Sequence, residues 1–340
     1  VESGLGSVMD IVSERRATDD TRKLLVALGD GANVETVLIP RVSGGKSDLP
    51  SPIEEDADAA AAVEDEDDPL ADDGPIPVTQ CISTQVGCAM GCVFCASGVA
   101  GLKRHMRADE IVAQVLVGRS RLDEREQIRN VVLMGMGEPL HNYESTLRAL
   151  RLLTHPDGIA LSTRKVTVST SGLVPEIGLA ISLHAADDET RSRLMPINKK
   201  YPLPELMKAL RAYPLPRRRR ITIEYTLVAG KNDTAEEAKK LAKLLTGLPV
   251  KVNLIPMNPI EASTLGPPDL SGVLAFQRIL CDAGYSCFIR RRRGDDVSAA
   301  CGQLALLGAK PKVRVDRGGG LRPRSLPVQG GGTPPGGGTE

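Results

Sequence analysis

Residues 88–95 read Cys-Ala-Met-Gly-Cys-Val-Phe-Cys and place three thiols within eight residues. Three thiolates can hold three corners of a [4Fe–4S] cube and leave the fourth iron without a protein ligand. Such an iron can bind and reduce a substrate, just as an open position distinguishes catalytic from structural zinc sites. Structural zinc is the alternative, but it usually takes four ligands in two clustered pairs, and His105 is the only histidine close downstream. The spacing therefore favours an iron–sulfur cluster with one open corner.

Length and composition limit the class of protein. A chain of 340 residues can bury a sizeable core as one large α/β domain with appendages. No apolar run approaches the ~18 residues of a membrane span, and the first residues lack the pattern of a secretory signal. Seven cysteines without such a signal indicate a reducing compartment. We expect a cytoplasmic protein with no membrane segment.

Charge is segregated along the chain although the totals cancel. The stretch Glu54–Asp73 holds eleven acidic residues and no basic one. With those set aside, 43 basic residues face 32 acidic ones, an excess of eleven. A basic body is consistent with a nucleic-acid partner. Five Tyr, three Phe and no Trp leave few side chains that could stack on bases.

From residue 78 onward, short apolar runs alternate with helical patterns. The predicted strands are 78–84, 130–136, 165–170, 179–184, 221–228, 252–256 and 286–290, and the predicted helices are 108–122, 142–154, 204–212, 235–245 and 272–283. Repeated strand–helix units predict a parallel sheet that curves into a partial barrel. Ligands of such folds lie at the C-terminal ends of the strands.

The rest of the chain divides into three parts around this core of residues 78–308. Residues 1–40 contain a predicted β-hairpin, with apolar runs on either side of the turn Gly29-Asp30-Gly31. Residues 41–77 are rich in Ser, Gly, Pro, Ala and acids, which predicts a disordered insertion. Residues 309–340 are basic and then Gly-rich, which predicts a disordered tail.

Seven short motifs follow one another in a fixed order, most of them at predicted strand ends. They are Gln80–Cys88, Met134–Pro139, Ser169–Gly172, Ser182–Ala185, Pro196–Tyr201, Asn253–Pro259 and Gly294–Gln303. The set resembles the RlmN/Cfr family of radical S-adenosylmethionine (SAM) RNA adenine methyltransferases, over residues 21–40 and 78–305. This resemblance implies a partial (β/α)6 barrel. It also implies that Cys88, Cys92 and Cys95 hold a [4Fe–4S] cluster whose open iron binds the amino-acid end of SAM.

The resemblance further implies a SAM site on successive strand ends. Its positions are Gly137, Glu138, Ser169, Ser182, Leu183, His184 and Asn258. Gly137 lets the backbone approach a ligand, and the carboxylate of Glu138 can bind the ammonium group of SAM. Any one of the remaining positions is compatible with an ordinary polar group at a strand end. Together, on successive strands, they favour a ligand.

Three more residues carry the chemistry that the resemblance implies. Cys301 would take a methyl group from one SAM, and a 5′-deoxyadenosyl radical from a second SAM would remove a hydrogen from that group. The resulting carbon radical would add to C2 of an adenine, a carbon that is not nucleophilic and that polar methyl transfer cannot reach. Cys81 would then attack Cys301, form a disulfide and release the RNA. Glu35 matches the family's proton acceptor.

The implied substrates are 23S rRNA and the adenine beside a tRNA anticodon, with a flavodoxin-like electron donor and a monomeric enzyme. Three alternatives stay open: methylation at C8 with the same cysteines, an Fe–S protein that binds RNA without turnover, and a zinc-stabilised RNA-binding module. Lys199-Lys200, Arg217–Arg220 and Arg290–Arg293 are candidate contacts to RNA phosphates. Cys281 and Cys287 match no motif, so we expect them to pack in the interior.

Two features depart from the family pattern. About twenty residues precede the hairpin, where the family has a helical N-terminal domain. Only residues 171–178 separate two predicted parallel strands, whereas a parallel crossover usually needs about 10–12 residues. We therefore expect a missing or one-turn crossover helix, lower stability and a disturbed Ser169/Ser182 pair.

Overall fold

The computed structural model describes residues 9–41, 74–170, 178–215, 219–261, 263–290 and 292–304. Three predictions fall wholly or largely outside these ranges: the disorder of the acidic insertion, the disorder of the tail, and the form of the crossover after residue 170. Of the predicted insertion of residues 41–77, residues 42–73 lie outside them, whereas Ile76 and Pro77 begin a β-strand. The boundary of the tail stays a prediction.

Twelve β-strands and seven α-helices are formed by the described residues. The strands are β1 Met9–Arg16, β2 Arg22–Leu28, β3 Asn33–Pro40, β4 Ile76–Cys81, β5 Gln85–Gly87, β6 Leu102–His105, β7 Glu126–Leu133, β8 Val166–Thr170, β9 Gly178–Ser182, β10 Ile221–Leu227, β11 Val250–Pro256 and β12 Cys287–Ile289. The helices are α1 Ala96–Ala100, α2 Ala108–Arg119, α3 Tyr143–Thr154, α4 Asp188–Leu194, α5 Leu203–Ala212, α6 Ala235–Leu244 and α7 Leu270–Asp282. No helix in this part of the chain is both long and apolar enough to cross a bilayer.

Ten strands form one sheet in the order β1-β2-β3-β4-β7-β8-β9-β10-β11-β12. From β4 to β12 every neighbouring pair is parallel, whereas β1 to β4 pair antiparallel. The predicted partial barrel is confirmed, and the short β12 adds a seventh parallel strand to the six of the expected (β/α)6 unit. The separate β5–β6 hairpin flanks the cysteine loop.

The local sequence explains the type of each element. All seven residues of β10 are buried, as expected for a strand with one face under helices and the other toward the barrel interior. In α3 the buried residues are Thr146, Ala149, Leu150 and Leu153, the spacing of one helix face. The short α4 was not predicted, because its sequence is mostly charged; Asp187 caps it by accepting a hydrogen bond from the Thr190 amide.

The N-terminal strands continue the core sheet. The predicted hairpin is confirmed as β2–β3, but β1, which is largely polar and lies at the sheet edge, was missed. β3 pairs with β4 so that Val37 lies opposite Cys81. The predicted division between residues 1–40 and 78–308 therefore crosses one continuous sheet.

β8 and β9 are parallel neighbours, with Ser169 opposite Ala180. The Ser169 and Ser182 hydroxyl oxygens lie 3.4 Å apart. This pair is in contact, so the expected disturbance of it is wrong.

Candidate active site

One cavity lies at the C-terminal ends of the parallel strands and contains most of the predicted site residues. Those that line it are Cys88, Cys92, Cys95, Gly137, Glu138, Ser169, Ser182, His184, Asn258 and Cys301. Of the predicted set, Cys81, Glu35 and Leu183 lie outside its lining. Residues from the ends of four parallel strands (β7, β8, β9 and β11) and from two loops are thus brought to one site.

The cysteine loop begins directly after β5 and ends at Cys95, which precedes the first turn of α1. A side chain on Gly98 would place its Cβ 2.8 Å from the Cys92 amide nitrogen, so glycine is needed for α1 to pack against this loop. Burial raises the pKa of Cys88 to about 12 and also raises the pKa values of Cys92 and Cys95. Metal binding deprotonates such thiols. The donor set therefore fits a thiolate-bound cluster.

The zinc alternative gains no support. Within the described ranges, no three His, Cys, Asp or Glu side chains form a site for a single metal ion. A structural zinc ion holds its thiolates about 2.3 Å from one centre, whereas each thiolate of a cube binds a different iron.

A buried glutamine fixes the turn that carries Gly137 and Glu138. Gly137 has φ +108°, and a Cβ there would lie 2.7 Å from the backbone nitrogen of Gln85. The Glu138 amide donates to Gln85 Oε1 at 2.9 Å, and Glu138 Oε1 accepts from the Leu140 amide at 3.1 Å. Sequence reasoning assigned Gln85 no role, because a single glutamine on a short strand gives no signal.

His184 is held in one tautomer beside the cysteine loop. Its Nδ1 accepts from the Thr226 amide at 2.9 Å, which leaves the proton on Nε2, and its ring meets Phe94 edge-on at 4.9 Å. Burial, with a smaller contribution from Arg191, lowers the pKa of His184 to about 3. The imidazole is therefore neutral near pH 7. Leu183 contributes only its backbone, since its carbonyl accepts from Arg191 Nε at 3.0 Å.

Asn258 offers an open acceptor inside the cavity. Its Nδ2 donates to the Cys301 carbonyl at 2.8 Å, and its buried Oδ1 has no hydrogen-bond partner. A buried amide oxygen without a donor is unfavourable. An adenine amino group is one donor that asparagine commonly binds, so Asn258 fits the adenine end of SAM.

Cys81 and Cys301 lie on the same side of the barrel. Burial raises the pKa of Cys81 to about 12; the nearby Cys301 adds to this rise, and Arg290 opposes it. Cys81 ends β4 behind the cavity wall, while Cys301 lines the cavity. All seven cysteines lie in described residues and all are free thiols. The structure thus does not support the expected disulfide bond as a permanent feature of the fold.

Glu35 is buried behind the cavity and carries an ion pair. Lys23 Nζ lies 3.1 Å from its Oε1, and Lys23 also donates to the Ser298 carbonyl at 3.1 Å. Ser83 Oγ donates to the Glu35 carbonyl at 2.7 Å. The predicted proton acceptor is thus linked through Lys23 to the loop that carries Cys301.

That loop, residues 292–304, is held by the N-terminal strands. Arg293 Nη2 donates to the Pro40 carbonyl at 2.6 Å, and the Gly294 amide donates to Asp19 Oδ2 at 3.2 Å. Arg292 Nη2 donates to the Met257 carbonyl at 3.1 Å. These arginines, predicted as phosphate contacts, use donors inside the protein. Arg217, Arg218 and Arg291 fall outside the described residues, and Lys199 and Lys200 are exposed.

Comparison with known proteins assigns the family. The family described as the Radical SAM superfamily matches residues 82–245. A "Dual-specificity RNA methyltransferase RlmN" of Sorangium cellulosum is 69% identical over 325 residues, which cover 92% of this chain and 83% of that protein. This chain belongs to the RlmN family.

Two further relatives agree with this assignment. The RlmN protein of Syntrophobacter fumaroxidans is 44% identical over 305 residues, 87% of this chain and 80% of that one. The crystal structure of a radical SAM methyltransferase from Sphaerobacter thermophilus has a TM-score of 0.74 at 40% identity, and covers 88% of this chain and 81% of its own. Membership of the RlmN family makes this protein a SAM-dependent RNA methyltransferase that uses a [4Fe–4S] cluster.

Two charged residues line the cavity in addition to the predicted site: Glu224, which sequence reasoning missed, and Arg290, which it named only as a contact to RNA phosphates. Glu224 lies inside the apolar strand Ile-Thr-Ile-Glu-Tyr-Thr-Leu, and its side chain is buried. A carboxylate inside an apolar strand is a usable signal, because charged groups are rarely buried without a partner or a function. The expected packing role of Cys287 is confirmed, and Cys281 is half-buried beside it.

Proposed function

We propose that this protein methylates C2 of an adenine in 23S rRNA, and the adenine beside a tRNA anticodon, through a methyl group carried on Cys301. One observation supports this above the others: Cys301 lines the same cavity as the three cysteines of the loop and the SAM-binding positions. The printed name of the relatives, dual-specificity RNA methyltransferase, is consistent with two RNA substrates.

Cys88, Cys92 and Cys95 would hold the cluster, which when bound would supply the electron that cleaves SAM to a 5′-deoxyadenosyl radical. Glu138 binds the ammonium group of SAM, Ser169 and Ser182 bind polar groups of the cosubstrate along the strand ends, and the free Oδ1 of Asn258 accepts from its adenine. The neutral His184 keeps positive charge away from the sulfonium. These side chains orient SAM so that its methyl group or its 5′ carbon faces Cys301.

Cys301 acts twice on the same carbon. Its thiolate displaces the methyl group of one SAM, which leaves as S-adenosylhomocysteine. After hydrogen abstraction by the adenosyl radical of a second SAM, the S-bound carbon radical adds to C2 of the adenine and forms a C–C bond. Two molecules of SAM are thus used in turn, one for the carbon and one for the radical.

Cys81 and Glu35 complete the reaction. The adduct gives its C2 proton to Glu35 and loses one electron, for which the bound cluster would be the acceptor. The Cys81 thiolate then attacks the sulfur of Cys301, the S–CH2 bond breaks, and the departing carbon takes up a proton to become the methyl group. The products are methylated RNA and a Cys81–Cys301 disulfide, which an external thiol must reduce before the next cycle.

Methylation of C8 with the same cysteines is the nearest competing function. An Fe–S protein that binds RNA without turnover and a zinc-stabilised module are more distant ones. Mass spectrometry of the modified nucleoside distinguishes methylation at C2 from methylation at C8. Formation of 5′-deoxyadenosine under dithionite would exclude an Fe–S protein that does not turn over. Metal analysis of anaerobic protein distinguishes an iron–sulfur cluster from zinc. We further propose a monomer in the cytoplasm that a flavodoxin-like protein reduces, which size-exclusion chromatography and reduction assays test.

The deciding experiment uses anaerobically reconstituted enzyme, protein-free 23S rRNA and methyl-labelled SAM. Cys301→Ala should abolish methylation and leave the formation of 5′-deoxyadenosine detectable. Cys281→Ala, a half-buried cysteine outside the cavity, is the matched control and should methylate normally. Continued methylation by Cys301→Ala would exclude the methyl-cysteine route.

A further inference from the structure

Glu224 carries a carboxylate oxygen that nothing in the protein satisfies. Its side chain is only 3% exposed and lines the cavity. Asn253 Nδ2 donates to Oε1 at 3.2 Å, whereas the buried Oε2 has no hydrogen-bond partner. Leaving a buried carboxylate oxygen without a donor is costly. A donor from a bound ligand is therefore the expected partner of Oε2.

The strand register shows which groups lie beside Glu224. Ser182, Glu224 and Asn253 are register partners on three adjacent parallel strands, so their side chains form a row on one face of the sheet. Asn253 pairs in turn with Phe288 on β12. Arg290 follows Phe288 by two residues, and its amide donates to the Leu254 carbonyl at 2.8 Å. Arg290 thus lies on the same face, one step nearer the mouth of the cavity.

Arg290 keeps donors available. Its side chain lines the cavity, and Nη1 of the guanidinium lies 3.7 Å from the Met134 sulfur, a weak acceptor. Among the residues that the structure describes, Glu224 and Arg290 do not form an ion pair with each other. Cys301 and Glu224 both raise the pKa of Arg290, Cys301 the more strongly, which places the guanidinium near both.

Cys301 lies beyond Arg290 in the same direction. Its carbonyl binds Asn258 Nδ2 at 2.8 Å, and Asn258 follows the last residue of β11 by two positions. From the sheet toward the mouth of the cavity, the order is therefore an open acceptor at Glu224, a donor at Arg290 and Cys301, whose backbone lies at the level of Asn258 and which lines the same cavity.

Adenine carries a matching order of groups along one edge. The 6-amino group is a donor, the adjacent ring nitrogen N1 is an acceptor, and C2 is the next atom. We propose that Glu224 accepts from the 6-amino group of the target adenine and Arg290 donates to the adjacent ring nitrogen, so that the following carbon lies at Cys301. This inference rests on the proposed function and names the groups that select the base.

The opposite edge of adenine shows the same order, with the 6-amino group followed by N7 and C8. The same two side chains can therefore present C2 or C8, depending on which way the base is turned. The proposed C2 reaction requires the N1 edge. Guanine is rejected in both orientations, because its 6-oxygen is an acceptor and would face the carboxylate of Glu224.

Glu224→Gln tests the contact to the amino group. In this variant Asn253 Nδ2 still donates to the oxygen of the new amide. The NH2 of that amide therefore takes the place of Oε2 and faces the 6-amino group of adenine, which is also a donor. With a synthetic RNA that the wild-type enzyme methylates at one adenosine, we expect kcat/KM to fall roughly 10- to 100-fold. With purine riboside at that position, which lacks the 6-amino group, wild type and Glu224→Gln should be equal.

Glu237→Gln is the matched control. Glu237 is also buried with an unpartnered Oε2, but it lies on α6, binds Lys240 at 2.7 Å and does not line the cavity. It should match wild type with adenosine and also with purine riboside, because its Glu224 is intact. A loss in Glu224→Gln that is the same for both bases, with weaker SAM binding, would assign the carboxylate to SAM and overturn the proposal. No loss at all would do the same, because Oε2 then binds only water.

The ring-nitrogen contact has a test of its own. RNA with 1-deazaadenosine at the target lacks the ring nitrogen that Arg290 would contact, so it should be methylated more slowly than adenosine. RNA with 7-deazaadenosine should be methylated at the normal rate. If instead 7-deazaadenosine is the slow substrate, the base is bound in the C8 orientation, and equal rates for the two analogues exclude recognition by Arg290. Binding of these RNAs to enzyme loaded with S-adenosylhomocysteine, measured without turnover, separates a failure of base recognition from a failure of the methylation reaction. Absence of methylation by wild type refutes the proposed function, whereas binding that does not depend on the base analogue refutes the recognition.

Discussion

The two halves of the site are held in different ways. The SAM half lies on strand ends, where backbone register fixes Ser169 and Ser182 and a buried Gln85 fixes the turn at Gly137. The Cys301 half is an irregular loop outside the sheet, held largely by separate side-chain contacts, among them those of Lys23, Asp19 and Asn258. A sheet spreads any displacement over a continuous ladder of hydrogen bonds, whereas a loop held by separate contacts can shift locally.

This difference suits the chemistry of each half. SAM has to be bound in one geometry, because the distance from its 5′ carbon to the reacting carbon decides the outcome of the radical step. The sulfur of Cys301 has to meet a methyl donor, a base and Cys81 in succession. We therefore expect changes in the sheet-borne half to remove SAM chemistry altogether, and changes in the loop-borne half to uncouple SAM cleavage from methylation.

The largest effect is expected from Cys81→Ala. The methyl carbon still joins the adenine, but no thiolate can attack Cys301, so the RNA stays covalently attached. Product should stop at or below one turnover, with a protein–RNA species that survives denaturing electrophoresis. In Cys287→Ala, where a buried cysteine that does not line the cavity is lost, no such species should form. A Cys81→Ala enzyme that turns over repeatedly would contradict the resolving role.

Gly137→Ala tests the sheet-borne half. The new Cβ would lie 2.7 Å from Gln85 at φ +108°, so the turn has to move. We expect SAM binding to weaken roughly 10- to 100-fold, with 5′-deoxyadenosine and methylated RNA lost in parallel, as measured by equilibrium dialysis and product analysis. The control is Gly230→Ala: Gly230 also has a positive φ, of +64°, but no atom within 4 Å of the new Cβ. SAM binding in that variant should be unchanged.

Lys23→Met tests the loop-borne half. It removes the cation of the buried Lys23–Glu35 ion pair, whose side chains are 9% and 3% exposed. Removing one partner of such a pair costs about 3 kcal/mol of unfolding free energy, to be measured by denaturant titration. Methylation should fall further than SAM cleavage, because the Ser298 anchor is also lost.

The double variant Lys23→Met/Glu35→Leu sharpens this test. Replacing a whole buried ion pair by apolar side chains is often neutral for stability, so the lost unfolding free energy should return while methylation stays low. If methylation returns with stability, Lys23 and Glu35 serve only the fold.

The smallest effect is a pH dependence of stability. The pKa of His184 is about 3 in the folded protein, well below the ~6.5 of an unfolded chain. As pH falls below about 6.5 the unfolded state binds this proton first, so stability decreases until about pH 3. His184→Gln should flatten that part of the curve in cluster-free protein.

Much of the fold followed from local pattern. Apolar runs of strand length separated by amphipathic stretches predicted the seven parallel strands and five of the helices, because those periods decide which face of an element is buried. The charged α4 and the polar edge strand β1 carry no such pattern. They form because Asp187 caps one and β2 pairs with the other, and both depend on neighbours in space.

The candidate site divides in the same way. By itself the sequence determined which residues lie at strand ends, because a strand's length and the alternation of its side chains fix where it stops and which way it faces. Tertiary structure alone decided that Glu35 is paired with Lys23, that Cys81 lies near Cys301, and that Glu224 and Arg290 face the same cavity. Cys81 and Cys301 are 220 positions apart in the chain (301 − 81), and no local pattern specifies which distant side chains will meet once ten strands have paired.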